Sequence, residues 1–374
     1  MKQEAAESFD RTSLRTFRAR LLAWFRKSQR DLPWRRTRDA YRVWVSEIML
    51  QQTQVAAVVP YYERFVAAFP TLTDLAAAEE AQVLRLWEGL GYYRRARQLH
   101  AAARLCVERH GGEVPRDYDA LLALPGIGRY TAGAVLSIAH DARLPILEAN
   151  TVRLLSRLLA YRGDPLDSAG QKLLWQTAEE LLPRRGAGEF NQALMELGAV
   201  VCAPDPRCGE CPVAAMCPTR AAEAQAEIPR PKRPKTFEEV REAAVVVRRR
   251  GRVLLVRRGG GRWGGLWDFP RFPLSAERGA GLQLALASGV EALTGAAIEP
   301  AREIAVLKHG VTRFRITLVC YEAEWAESLP AARNGMADGN GSAAHECRWV
   351  RPAELEQLPM SVTGRKLARL TARV

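Results

Sequence analysis

The feature that most constrains this chain is a change of hydrophobic period partway along it. Before residue 226, apolar residues recur at three- and four-residue spacing in "YRVWVSEIMLQQTQVAAVVPYYERFVAAF", "LHAAARLCVERHGG" and "TVRLLSRLLAYRGD". Each of these segments presents the single apolar face of a helix. After residue 240 the pattern shortens. "EAAVVVRRRGRVLLVRR" predicts a hairpin turning near Arg250-Gly251, "RFRITLVCYEAEW" and "CRWV" predict strands, and "GLQLALASGVEAL" predicts one amphipathic helix. Between the two regimes lies "EIPRPKRPKTFEEV", with three prolines, four Lys or Arg and no apolar period, which suits an extended linker. The expected organisation is therefore an all-α domain over residues 12–225, a linker over 226–240 and a small α+β domain over 241–374. A length of 374 residues is ample for two cores.

Four cysteines, Cys202, Cys208, Cys211 and Cys217, fall together in "CAPDPRCGECPVAAMC", with gaps of five, two and five residues. Such thiolates suit tetrahedral zinc or an iron-sulfur cluster, and spacing alone leaves both open. Cys106, Cys320 and Cys347 stand singly in apolar or strand-like segments and are expected in cores. The opening "MKQEAAESFD" lacks the apolar centre of a signal peptide, and no later stretch is long and apolar enough for a bilayer. A cytoplasmic protein is expected, in which structural disulfides are not. The formal charge of +13 implies a polyanionic partner such as nucleic acid or an acidic membrane.

"LPGIGRYTAGA", residues 124–134, joins the helical patterns "DYDALLAL" and "RYTAGAVLSIAH", so Pro125 to Gly128 reads as a tight interhelical hairpin. Gly126 and Gly128 are expected to permit positive φ and to leave the amides at the second helix's start open to a phosphate. Leu-Pro-Gly-Ile-Gly followed by Thr131-Ala132 resembles the helix-hairpin-helix of DNA glycosylases related to endonuclease III. "LPWR" (32–35), "YRVWVSEIMLQQTQV" (41–55) and "GLGYYRRAR" (89–97) narrow the resemblance to the adenine glycosylases of the MutY family. It extends over nearly the whole chain.

That resemblance implies an all-α helix-hairpin-helix glycosylase domain with an iron-sulfur cluster loop, plus a small α+β Nudix-like C-terminal domain. It favours a [4Fe-4S] cluster on the four cysteines, with zinc as the alternative. The usual gaps are six, two and five, and the shorter first gap falls in "APDPR", a loop able to absorb it. Bifunctional relatives carry a lysine where this chain has Tyr130; a phenol cannot form the imine that leads to strand cleavage, so base release alone is expected. Glu47 lies among Val43, Val45, Ile48 and Met49, where desolvation raises a carboxyl pKa. By resemblance it is the acid that protonates N7 of a flipped adenine.

The family's Asp-Gly-Asn is here Glu148-Ala149-Asn150. Asn150 is expected to cap the following helix, and Glu148 stands where the aspartate steadies the sugar cation. A carboxylate about 4 Å from that cation contributes roughly 4 kcal/mol at an effective dielectric near 20. Gln52 and Tyr92 match residues that wedge into the base stack, while Trp34, Arg35 and Gln192 match the adenine pocket. "RWGGLWDFP" resembles part of the Nudix-like domain with which that family senses 8-oxoguanine, and this resemblance implies Thr312 and Arg313 in the loop "KHGVTRF" (308–314) as lesion contacts. Ser288, Gly289, Ala292 and Leu293 occupy the Arg-Glu and Glu-Glu positions of a Nudix hydrolase, so the glutamates that would bind Mg²⁺ are missing and diphosphate hydrolysis is not expected.

The function implied is removal of adenine opposite 8-oxoguanine or guanine, by a monomer acting on double-stranded DNA in the cytoplasm at the nucleoid, with no membrane partner. Replication and mismatch-repair proteins are the candidate protein partners. A thymine-mismatch glycosylase of the same superfamily also accommodates Tyr130. A non-catalytic iron-sulfur DNA-binding protein would need neither Glu47 nor the wedge residues.

Overall fold

The structure is a computed structural model that describes residues 10–231, 236–259, 263–275, 279–326 and 346–371. Residues 232–235 of the expected linker and Arg262 of "RWGGLWDFP" lie outside the described residues. In chain order the helices are α1 (Arg11–Ser28), α2 (Ala40–Leu50), α3 (Val55–Ala68), α4 (Leu72–Ala77), α5 (Glu80–Leu86), α6 (Arg94–Arg109), α7 (Tyr118–Leu122), α8 (Arg129–His140), α9 (Ala149–Leu158), α10 (Ser168–Leu181), α11 (Ala187–Val200) and α12 (Pro218–Ala221). There follow β1 (Glu238–Arg249), β2 (Arg252–Arg257), β3 (Trp267–Asp268), β4 (Arg271–Pro273), α13 (Gly279–Thr294), β5 (Arg302–Val311), β6 (Phe314–Glu324), β7 (Glu346–Val350) and α14 (Val362–Thr371). The chain divides into two compact units, Met1–Ala77 with Gln98–Arg233, and Ala78–Arg97 with Pro234–Val374.

In the first unit, α1, α9, α10 and α11 close a core around Phe17, Leu21, Phe25, Leu154, Leu174, Phe190 and Leu194. Phe17, Leu21 and Phe25 recur every four residues, which puts them on one face of α1. The helix α2 is buried on nearly every side, from Tyr41 to Met49, and this is what carries Glu47 out of water. The long helical pattern of residues 41–69 breaks at 51–54 with neither Gly nor Pro, where Gln52 takes φ 57°. Within the hairpin, Gly126 has φ 79°, and a Cβ there would stand 2.8 Å from the Gln98 Cβ, so both conformation and space require glycine. Gly128 corrects the expectation of positive φ. It is extended at φ −107° as the N-cap of α8, without a side-chain cap, and a Cβ on it would meet nothing within 4 Å.

The second unit is built on one sheet of order β3-β2-β1-β6-β5, with β4 paired to β1 and β7 to β2. The strands β1 and β6 run parallel; the remaining pairs are antiparallel. Ala243, Val245 and Val247 face one core with Leu286 and Val290 of α13, and Ala244 and Val246 face another with Leu367 of α14. The continuous apolar run of β1 follows from burial on both faces. The expected hairpin turns at Arg250-Gly251. Two expectations are corrected. "KHGVTRF" is mostly strand, since Val311 pairs with Phe314 and only Thr312-Arg313 turn. Cys106 and Cys320 are buried, but Cys347 is exposed on β7, which among the described residues pairs with β2 alone.

Candidate active site

In the first unit, a cavity of about 410 Å³ gathers side chains from widely separated parts of the sequence. The 3-10 turn Pro33–Arg35 supplies Trp34 and Arg35, α2 supplies Glu47, the turn after it Gln52, and α8 Tyr130. Glu148 and Asn150 come from the start of α9, and Gln192 and Glu196 from α11. Eight residues expected at the site therefore share one cavity. Tyr92, Thr312 and Arg313 belong to the second unit.

Glu47 is 3% exposed. Burial pushes its carboxyl up to about 7, with the nearby Glu148 adding to the rise, while a hydrogen bond from Tyr130 and the charge of Arg35 hold it back. The Tyr130 hydroxyl donates to Glu47 Oε2 at 2.5 Å. Its own pKa is raised well above that of a free phenol, first by burial and then by the two carboxylates, so it remains a donor. The outcome is a carboxyl oriented by a phenol and able to carry a proton near neutrality.

Glu148 corrects the expected cap. Asn150 lies inside α9, and Glu148 is the N-cap: its Oε1 accepts from the Thr151 amide at 2.9 Å and its Oε2 from the Asn150 amide at 2.8 Å. The longer side chain curls back far enough to do this, and the Thr151 hydroxyl closes the box by accepting from the Glu148 amide at 2.7 Å. Asn150 is left free to reach outward. Its Nδ2 donates to Glu148 Oε2 at 3.1 Å, and its Oδ1 accepts from Arg153, whose guanidinium also bonds the carbonyls of Gly198 and Cys202. Burial raises the pKa of Glu148, and the bonds from Asn150 and Thr151 oppose the rise. At Gly198 a Cβ would stand 2.9 Å from the Asn150 carbonyl, so glycine lets α11 approach α9.

The sequence does not single out Glu196 or Arg30. Glu196 is fully buried and accepts from the Arg30 amide, the Arg30 guanidinium and Arg35 at 2.7–3.0 Å. Burial would raise its carboxyl, but these bonds outweigh it and hold the group down at about 2. The available signal was a lone acid among Leu194, Met195, Leu197 and Gly198 of an apolar helix. Trp34 is buried with its ring edge-on to Tyr62, and Gln192 bonds only weakly to the Gly188 carbonyl at 3.4 Å.

Seven non-glycine residues among those described have positive φ, and Gln52, Tyr92 and Thr312 are three of them. Each such conformation costs on the order of 1–3 kcal/mol and persists where surrounding structure enforces it, which is frequent at functional positions. Tyr92 is 47% exposed. Arg313 forms an open ion pair with Glu238 at 3.6 Å. In α13, a Cβ at Gly289 would meet the Phe272 ring at 2.3 Å, so close packing occupies a place where a Nudix hydrolase would hold an acid.

Cys202, Cys208, Cys211 and Cys217 ring a small apolar cavity with Leu154, Leu158 and Val213. Arg157 donates to Cys202 Sγ at 3.4 Å and Gln225 to Cys208 Sγ at 3.7 Å, as suits sulfur carrying negative charge. Among the described residues no group of His, Cys, Asp or Glu is arranged to hold a single metal ion. Four sulfurs around one cavity are the donor set that a tetrahedral metal ion or an iron-sulfur cluster takes. No helix among the described residues is long and apolar enough to cross a membrane.

Comparison with known proteins finds one family for the helical part of the chain and another for the sheet part. Residues 45–180 match the HhH-GPD superfamily of base excision DNA repair proteins, and residues 243–370 match the NUDIX domain. The rat adenine DNA glycosylase is 48% identical over 218 residues, covering 56% of this chain and 42% of that protein. This chain thus spans less than half the length of that relative. The adenine DNA glycosylase of Buchnera aphidicola subsp. Schizaphis graminum is 34% identical over 255 residues, covering 67% of this chain and 74% of that protein. Among solved structures, a thermostable thymine-DNA glycosylase aligns along 100% of its chain with 57% of this one, at 32% identity and a TM-score of 0.52. With a relative at that identity covered over most of its length, and with the helical and Nudix-like folds both present, this chain belongs to the adenine DNA glycosylase family.

Proposed function

We propose that the protein is a monofunctional DNA glycosylase that removes adenine paired with 8-oxoguanine or guanine and leaves an abasic site. The observation that carries the reading is Glu47, buried, held by Tyr130 and protonated up to about pH 7, in a cavity shared with Glu148. Glu47 gives its proton to N7 of the flipped adenine. The C1'–N9 bond then breaks with its electron pair leaving on adenine, and the Glu148 carboxylate offsets the positive charge developing at C1'. Water completes the hydrolysis. Tyr130 supplies no amine, so the sugar is not trapped as an imine. Gln52 and Tyr92 fill the gap that the flipped base leaves.

Gly126 and Gly128 present the first-turn amides of α8 to a DNA phosphate. Thr312 and Arg313, on the turn between β5 and β6, contact the 8-oxoguanine. Cys202, Cys208, Cys211 and Cys217 would hold a [4Fe-4S] cluster, which would supply four iron-thiolate bonds that close the loop. Single-turnover assays on duplexes pairing 8-oxoguanine with A, C or T test the reading. Adenine release without strand breakage, and without a borohydride-trapped complex, is expected. Release of thymine from the 8-oxoguanine:T duplex in its place would move the assignment to the thymine-mismatch reading, and one solved relative is named a thymine-DNA glycosylase.

A further inference from the structure

Tyr92 sits in a turn held from two sides. From within, Trp87 Nε1 donates to the Gly91 carbonyl at 3.1 Å, and the Arg95 guanidinium reaches the carbonyls of Leu90 and Gly91 at 3.2–3.3 Å. The backbone it holds is left-handed at both Gly91, φ 72°, and Tyr92, φ 48°, and only at the tyrosine is that conformation strained. From the other side come residues of the sheet domain, far away in sequence. The Tyr93 hydroxyl donates to the Met360 carbonyl at 3.2 Å, and the Met360 amide donates to Glu88 Oε2 at 3.2 Å. Arg365 of α14, 277 residues from Glu88, grips both oxygens of its carboxylate at 2.7 and 2.9 Å. Both side chains are 8% exposed, and Arg365 also donates to the carbonyls of Leu355 and Leu358.

A buried ion pair is weak support for stability, since apolar residues of similar volume often do as well. What a bidentate guanidinium-carboxylate pair adds is fixed distance and angle. Here it joins α14 to the residue that opens the turn, while the Tyr92 ring itself stays 47% exposed. We propose that Glu88 and Arg365 are positioning residues that hold Tyr92 in the conformation it needs to enter the base stack. The C-terminal domain thereby sets the wedge. This rests on the wedge reading of Tyr92 given above.

A four-protein cycle tests it: the native protein, Arg365→Gln, Tyr92→Ala and the double variant, each assayed for single-turnover adenine release from an 8-oxoguanine:A duplex at saturating enzyme. Arg365→Gln is expected to slow release about tenfold, with its affinity for undamaged duplex retained. It is also expected to lower the fluorescence rise of a 2-aminopurine placed beside the mispair, which reports unstacking. In the Tyr92→Ala background the same change is expected to cost less than about twofold, because the residue it acts through is gone. The exchanged pair Glu88→Arg with Arg365→Glu, and Arg365→Lys, are expected to recover part of the rate and to show whether lost folding explains any defect. An equal loss from Arg365→Gln in both backgrounds would overturn the positioning role alone. Full activity of Tyr92→Ala would overturn the wedge reading and the proposal with it.

Discussion

The two walls of the cavity carry the same kind of side chain in opposite electrical states. On one wall, burial of Glu47 is opposed by a phenol's hydrogen bond and by the charge of Arg35, which it does not touch, and its carboxyl still rises to about 7. On the other, Glu196 is likewise buried, yet two arginines and a backbone amide hold it at about 2. Burial alone therefore does not decide the charge; the partners do. The contrast suits a site in which one acid must give up a proton while another stays ionised and keeps a guanidinium in place.

The largest expected effect breaks the first wall. Glu47→Gln removes the proton donor and should lower single-turnover adenine release by about 10²–10⁴-fold, with duplex affinity retained. Glu148→Gln should also bind DNA and lose most base release, since its amide cannot offset a C1' cation. Near-native release from Glu148→Gln alone would mean that another carboxylate faces the sugar.

Breaking the second wall should show in stability rather than in proton transfer. Glu196→Gln strands two guanidinium groups, one of them largely buried, and should destabilise the protein by about 3–5 kcal/mol. Denaturant unfolding measures this. The same change at Glu47 strands no charge, and at pH 8 it should be neutral or stabilising.

A smaller and mirrored effect concerns pH. Glu47 has a folded pKa above its unfolded one, so the stability it contributes is full below about 4.5 and is lost as pH rises through about 7. Glu196 is the reverse: its contribution is full above about 4.5 and is lost as pH falls through about 2. Each group should contribute on the order of 3 kcal/mol across its own window. Unfolding titrations of Glu47→Gln and Glu196→Gln should each lack one limb of the native curve, and a different one.

What was legible in the sequence follows from the range of the interactions. Periodicity reveals α2 and β1 because neighbours along the chain share one face or two. Motifs at 32–35, 41–55 and 124–134 point to Trp34, Arg35, Glu47 and Tyr130, which the cavity then brings together. Asn150 was a reasonable cap by type, but the reach of Glu148 decided otherwise, and side-chain reach leaves no periodic trace. Glu196 needed Arg30 and Arg35, more than 160 residues away, to explain its burial. The pairing of Glu88 with Arg365 is likewise silent in either local sequence. Cys347 has the apolar character of a core residue yet lies exposed on β7, where among the described residues only β2 pairs with the strand.

The most direct test of the claim that a buried, phenol-held Glu47 is the proton donor is the pH profile of single-turnover adenine release, with Tyr130→Phe beside the native protein. The native rate should be high in mild acid and fall as pH rises through about 7. Removing the Tyr130 hydrogen bond, which lowers that pKa, should move the fall to higher pH. A native rate that is flat from about pH 5 to 9, or a fall that stays in place in Tyr130→Phe, would contradict the account.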